Sequence, residues 1–169
     1  AWAPALRAVA AVDPGHLGDK PASLDQLILD WGDTLARSFG GELHVVHMHF
    51  PATLVAATAG IAGVPMAAAG GTAEKLIEDE RKQRLDQLTE LAAAHGLSAD
   101  RIHLKLGTAA DLLPEEAERL RADVIVMGAV SRSRLERIFI GSTAERVLDR
   151  LPCDVLVVKP LDFAPELPF

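Results

Sequence analysis

Tyrosine is missing from this sequence, and two Trp and five Phe supply its only large aromatic rings. A core built from it must be mostly aliphatic. Hydrophobic residues make up 49% of the 169 positions, enough to bury the interior of one ordinary domain. Cysteine occurs once, at Cys153, which excludes an intramolecular disulfide and points to a reducing compartment. Positive charge is short: 17 Lys and Arg stand against 24 Asp and Glu, a net charge of −7. General nucleic-acid binding wants a basic face, and so does attachment to an anionic membrane surface; the balance argues against both. No basic region followed by an apolar block opens the chain, so no signal peptide is expected and the cytoplasm is the expected location.

Charge is also missing from the whole stretch Phe50 to Ala73. Its length would allow a membrane span. Its composition does not, being mostly Ala and Gly and broken by Pro51, Pro65 and Gly70-Gly71. Three readings stay open for it: a surface insertion, a lid over a ligand site, or an apolar patch for a lipid or protein partner.

What is present is an alternation of apolar runs and amphipathic segments. Arg7 to Val12, Leu43 to Met48, Ile102 to Leu106, Val124 to Met127 and Val155 to Val158 read as strands. Between them, 22–39, 74–95, 109–122 and 142–151 read as helices. Leu24, Leu27, Ile28, Trp31 and Leu35 share one face of the first, which Gly40-Gly41 ends. Ile77, Leu85, Leu88 and Leu91 form the stripe of the second, and Pro114 falls in the first turn of the third or at a break. Strands alternating with helices, three of the strands being near-continuous apolar runs, predict an α/β fold with a parallel sheet covered on both faces. Ligands of such sheets bind beyond the carboxyl ends of the strands. Asp13, His47 to His49 and the segment after Met127 all fall there.

That last segment, MGAVSRSRLERIFIGSTAERV from Met127 to Val147, suits an anion. Gly128 permits a sharp turn after the fourth strand. Gly141-Ser142-Thr143 opens a helix whose first N–H groups lack internal partners. Arg132, Arg134 and Arg137 outweigh Glu136. An ordinary crossover with Ser142 as N-cap explains the same residues without a ligand. The spacing is neither that of a Walker A loop nor Gly-x-Gly-x-x-Gly.

The arrangement Met127-Gly128-x2-Ser131-x9-Gly141-Ser142 resembles the signature of the universal stress protein family, Gly-x2-Gly-x9-Gly-Ser/Thr. The resemblance continues through Thr143 to Val147 and Cys153 to Pro160, and includes Val9 to Asp13 and Glu42 to His47. With the 50–73 insertion and the tail, the chain looks most like the C-terminal half of tandem, UspE-like members, and the missing Met at the start fits that. The resemblance implies a Rossmann-like, open five-stranded parallel sheet, order 3-2-1-4-5, with helices on both faces. It implies a universal stress protein domain over 1–160 and an extended tail at 161–169. It further implies a nucleotide-binding regulatory module of the stress response, taking ATP, AMP or ADP, with Mg as companion ion. Asp13 would meet the adenine, Leu43 and Met127 would flank it, and Gly128, Ser131, Arg132, Gly141, Ser142 and Thr143 would line the phosphates and ribose. Pairing along strand 155–158 would give a homodimer or a tandem pseudo-dimer.

Ser131 departs from the signature, which has glycine there. At positive φ a serine costs about 1–3 kcal/mol in strain; at negative φ its hydroxyl donates to a phosphate. Two rival functions stand beside nucleotide binding: an apolar small-molecule, lipid or protein binder using the insertion, and a slow ATPase. No nucleophile elbow, HExxH or paired-carboxylate signature supplies a catalytic group. His47 and His49 share a strand face, but no third metal ligand stands at a fixed spacing, so packed roles are expected for them. His44 faces the other way. Asp123 and Asp154 read as turn residues, and Cys153 as a buried inert thiol.

Overall fold

Residues 5–14, 23–51, 73–128 and 146–160 are described in the computed structural model of the chain. Their elements are β1 (Arg7–Ala11), α1 (Ser23–Ser38), β2 (Glu42–His49), α2 (Ala73–Ala93), a 3-10 turn (Ala99–Arg101), β3 (Ile102–Leu106), α3 (Ala109–Leu120), β4 (Val124–Gly128) and β5 (Asp154–Val158). The five strands pair in parallel in the order β3-β2-β1-β4-β5. This is the expected α/β class and strand order. The region 50–73 enters the described residues only at Phe50, Pro51 and Ala73, and the tail 161–169 lies outside them. Among the described residues no helix is long and apolar enough to cross a membrane.

The sheet separates two cores. On one face Leu6, Ala8, Ala10, Leu43, Val45, Val124 and Val126 pack against Leu24, Ile28 and Leu29 of α1 and Leu88 and Ala92 of α2. On the other, Val9, Val46 and Ile125 meet Ala110, Leu113, Ala117 and Leu120 of α3 and Val147. Strands β1 and β4 are buried on both faces because each has a strand on either side and helices above and below. The edge strand β5 is only half-buried along most of its length.

Trp31 does not join the buried stripe of α1 and is 51% exposed. The position that faces the sheet there is Gly32, where a Cβ would come within 2.8 Å of Leu43 Cδ1. The helix rides close enough to β2 that a side chain at this position would have to displace the end of Leu43, and the large indole is turned to solvent. Gly41 is still tighter: a Cβ would fall 1.8 Å from the Leu6 carbonyl oxygen. Pro114 lies inside α3 rather than in its first turn or at a break.

Candidate functional site

In this strand order the chain leaves β1 toward β2 on one side and leaves β4 toward β5 on the other. The carboxyl ends of β1 and β4 therefore border the crevice where open α/β sheets take ligands. The register pairs Ala11 with Met127, so Asp13, two residues beyond β1, stands beside the end of β4. Met127 and Gly128 continue into pairing with Val157 and Val158. The register thus places Asp13, Met127 and Gly128 at the same end of the sheet.

Gly128 lies within β4 and does not follow it. A Cβ there would come within 2.8 Å of Leu24 Cδ2 and 3.2 Å of Ile28 Cδ1. Close passage of α1 over β4 is sufficient reason for this glycine, whatever else it does. Leu43 does not join the group. It is 2% exposed, pairs with Ala8 at the amino end of β2 and packs under Gly32. A residue there has no surface to offer a ligand at the opposite end of the sheet. The resemblance placed Leu43 by motif, whereas the register places His47 and Met48 level with the end of β1. Ser131, Arg132, Gly141, Ser142 and Thr143 lie outside the described residues.

Polar side chains missed as a group from sequence gather beneath Asp13. His47 Nδ1 is 3.0 Å from the Val12 carbonyl oxygen and 3.7 Å from Asp13 Oδ1. The Asp13 N–H donates to Asp25 Oδ1 at 3.1 Å. The His47 and His49 rings stack with centroids 6.1 Å apart, and His49 Nε2 lies 3.3 Å from Glu80 Oε1 of α2. Burial holds His47 below the ordinary imidazole pKa against the opposing pull of Asp13, with His49 and Arg84 adding to the depression. Burial does the same at His49 against Glu80. His47 and His49 are packed groups, as expected. Among the described residues no three His, Cys, Asp or Glu gather into a metal site.

A second polar cluster occupies the opposite face at the β2–β3 edge. Arg119 Nη2 lies 3.3 Å from His103 Nδ1, and His103 Nε2 lies 3.0 Å from His44 Nδ1. A guanidinium can only donate, so His103 carries its proton on Nε2 and passes it toward His44. His44 Nε2 then faces Glu42 Oε1 at 3.4 Å, and Glu42 also accepts from Arg7 at 2.7 Å. Burial, with Arg119 and His44 close by, pushes the His103 pKa down to about 4.

Comparison with known proteins agrees with this architecture. The profile of the Universal stress protein family matches residues 9–159. Universal stress protein E of Escherichia coli K12 is 38% identical over 80 residues, 47% of this chain and 25% of that protein. The chain thus spans only a fraction of that relative's length. A universal stress protein of Methanocaldococcus jannaschii, MJ0531, is 32% identical over 127 residues, 74% of this chain and 69% of that one. A solved protein of unknown function from Pseudomonas aeruginosa PAO1 superposes with a TM-score of 0.70 at 30% identity, over 94% of this chain and 48% of its own. A universal stress protein solved in complex with cAMP shares the fold, with a TM-score of 0.54 and 20% identity over 92% of this chain and 97% of its own. From strand order to motif, this chain belongs to the universal stress protein family.

Proposed function

We propose that this chain is a cytoplasmic, nucleotide-responsive regulatory domain of the stress response that takes ATP, or AMP or ADP, in the β1–β4 crevice. The observation that carries the reading is the meeting of a half-exposed carboxylate, Asp13, with the Met127–Gly128 end of β4 at the point where the connections diverge. Asp13 reads the base, Met127 flanks it, and the segment from Gly128 through Ser131, Arg132, Gly141, Ser142 and Thr143 receives ribose and phosphates, with Mg accompanying ATP. The domain occupies 1–160, with 50–73 as an insertion and 161–169 as an arm. Ligand binding shifts the population of the 128–141 and 50–73 segments, and a partner protein reads the difference. The exposed edge position of β5 supports pairing along 155–158, between two copies or two tandem domains. That a universal stress protein of this fold was solved with cAMP supports an adenine nucleotide as the class to test first.

Calorimetric titration of the chain with Mg-ATP, alongside Ser131→Gly, tests the reading. Micromolar binding by the native protein upholds it. Binding by Ser131→Gly alone makes this a domain that keeps the scaffold without the ligand. A second reading has one observation behind it: Phe50 and Leu106, 47% and 59% exposed, both stand at the carboxyl ends of β2 and β3, where His49 pairs with Leu106. Recovery of an apolar molecule from the purified protein, with no nucleotide, favours that reading.

A further inference from the structure

The peptide group joining Val12 to Asp13 is gripped at both ends by buried side chains from two different elements. Its carbonyl oxygen lies 3.0 Å from His47 Nδ1, and its N–H donates to Asp25 Oδ1 at 3.1 Å. A carbonyl only accepts, so Nδ1 of His47 bears the proton. His47 is 3% exposed and Asp25 5%. Asp25 sits in the first turn of α1, where the helix dipole favours a carboxylate. One residue earlier, the Val12 N–H donates to the Val46 carbonyl at 3.0 Å and extends the ladder past the end of β1. This peptide cannot turn without breaking two hydrogen bonds, the one to His47 buried and the one to Asp25 part-buried. Sheet pairing needs neither side chain, and a buried imidazole and carboxylate are costly occupants of a core that apolar groups would fill. The peptide plane fixes the N–Cα bond of Asp13, which together with φ sets the direction in which the side chain leaves the chain.

We propose that His47 and Asp25 are positioning residues for Asp13: together they clamp the Val12–Asp13 peptide and so aim the Asp13 carboxylate at the β1–β4 crevice. The ligand half of this inference rests on the nucleotide reading; the clamp does not. Two substitutions of the full chain keep the hydrogen bonds. In His47→Asn the amide nitrogen stands as many bonds from the backbone as Nδ1, and in Asp25→Asn the Oδ1 acceptor remains. Two others, His47→Leu and Asp25→Leu, remove them.

Nuclear magnetic resonance of Asp13 reads the clamp directly. The wild type and both Asn variants are expected to show a protected Asp13 amide and one χ1 rotamer from the Hα–Hβ couplings. Both Leu variants are expected to show exchange at least about tenfold faster and averaged couplings. In Mg-ATP titrations the Leu variants weaken binding about tenfold while the Asn variants restore most of it, a pattern that general loss of stability does not produce. An Asp13 amide or rotamer indifferent to the Leu substitutions overturns the clamp. So does a wild-type His47 ring carrying its proton on Nε2, a measurement that needs no variant to fold. Unchanged Mg-ATP affinity in the Leu variants overturns the positioning role. Absence of Mg-ATP binding by a wild type that shows the clamp overturns the nucleotide reading, and the ligand half with it.

Discussion

The guanidinium of Arg150 donates to the main-chain oxygen of Ala110 at 2.9 Å, across the join between α3 and the segment leading to β5. Four residues after Ala110 stands Pro114, which has no N–H to give it. A side chain distant in sequence thus fills the place of a missing helical hydrogen bond at Ala110 in the first turn of α3.

Arg150→Ala should therefore destabilise the protein by about 1 kcal/mol, the net worth of a part-buried hydrogen bond. Pro114→Ala restores the helical N–H, so Arg150→Ala should cost clearly less in that background. Urea denaturation of the four proteins measures it. Equal costs in both backgrounds would show that Arg150 acts elsewhere, for instance through Asp111, 3.6 Å away.

Gly41→Ala should be far more damaging than Gly128→Ala. At Gly41 the new methyl meets the Leu6 carbonyl at 1.8 Å, and only the backbone can give way. At Gly128 it meets the mobile ends of Leu24 and Ile28, a cost of about 1–3 kcal/mol. Thermal melts rank the two. Parity between them would refute the close α1–β2 turn as the reason for Gly41.

Acid should weaken the fold in two steps. The folded pKa of His103 is about 4 against an ordinary 6.5, so the unfolded chain binds the extra proton first. The stability contributed by neutral His103 is complete above pH 6.5 and is lost as pH falls toward 4. Partial exposure reduces its size. Glu42 and Glu116 are held below their ordinary 4.5 by Arg7 and by Arg119 with Lys105, so their contribution is lost at lower pH still. His44, His47 and His49 are also held below 6.5 by burial and share this window, so in melts across it His103→Gln should make the first decline shallower and leave the second. A His103→Gln profile that falls as steeply as the wild type from pH 6.5 would assign the first step to the other histidines.

Cys153 should react slowly with thiol reagents at neutral pH. Burial raises its pKa, and the Asp154 and Asp123 carboxylates raise it further. Labelling with a disulfide reagent in native buffer should run at least about tenfold slower than in denaturant. Equal rates would mean an accessible thiolate.

The central strands were legible in the sequence because burial on both faces leaves a run such as Val124 to Val126 wholly apolar. The edge position of β5 came from the resemblance, since Val155 to Val158 reads as apolar as β4 does. Trp31 misled because helical spacing identifies a stripe but not how closely the helix approaches the sheet, and Gly32 decides that. Leu43 misled because a motif carries no register; Ala11 paired with Val46 is what brings His47 to the level of Val12. Asp25 carried no signal, since a carboxylate in a first helical turn ordinarily serves only its own helix. The bond from Arg150 to Ala110 joins residues whose proximity no local pattern encodes.

The pairing of β1 with β4 has a consequence in time. Among the five strands β1 leaves the ribosome first, yet Arg7 N–H must wait for the Asp123 carboxylate, 116 residues later. Until β4 emerges, the central strand β1 has only β2 for a neighbour and its other side is open. The strand synthesised first is completed nearly last, and the nascent chain must shield that open edge while most of the domain is still being made.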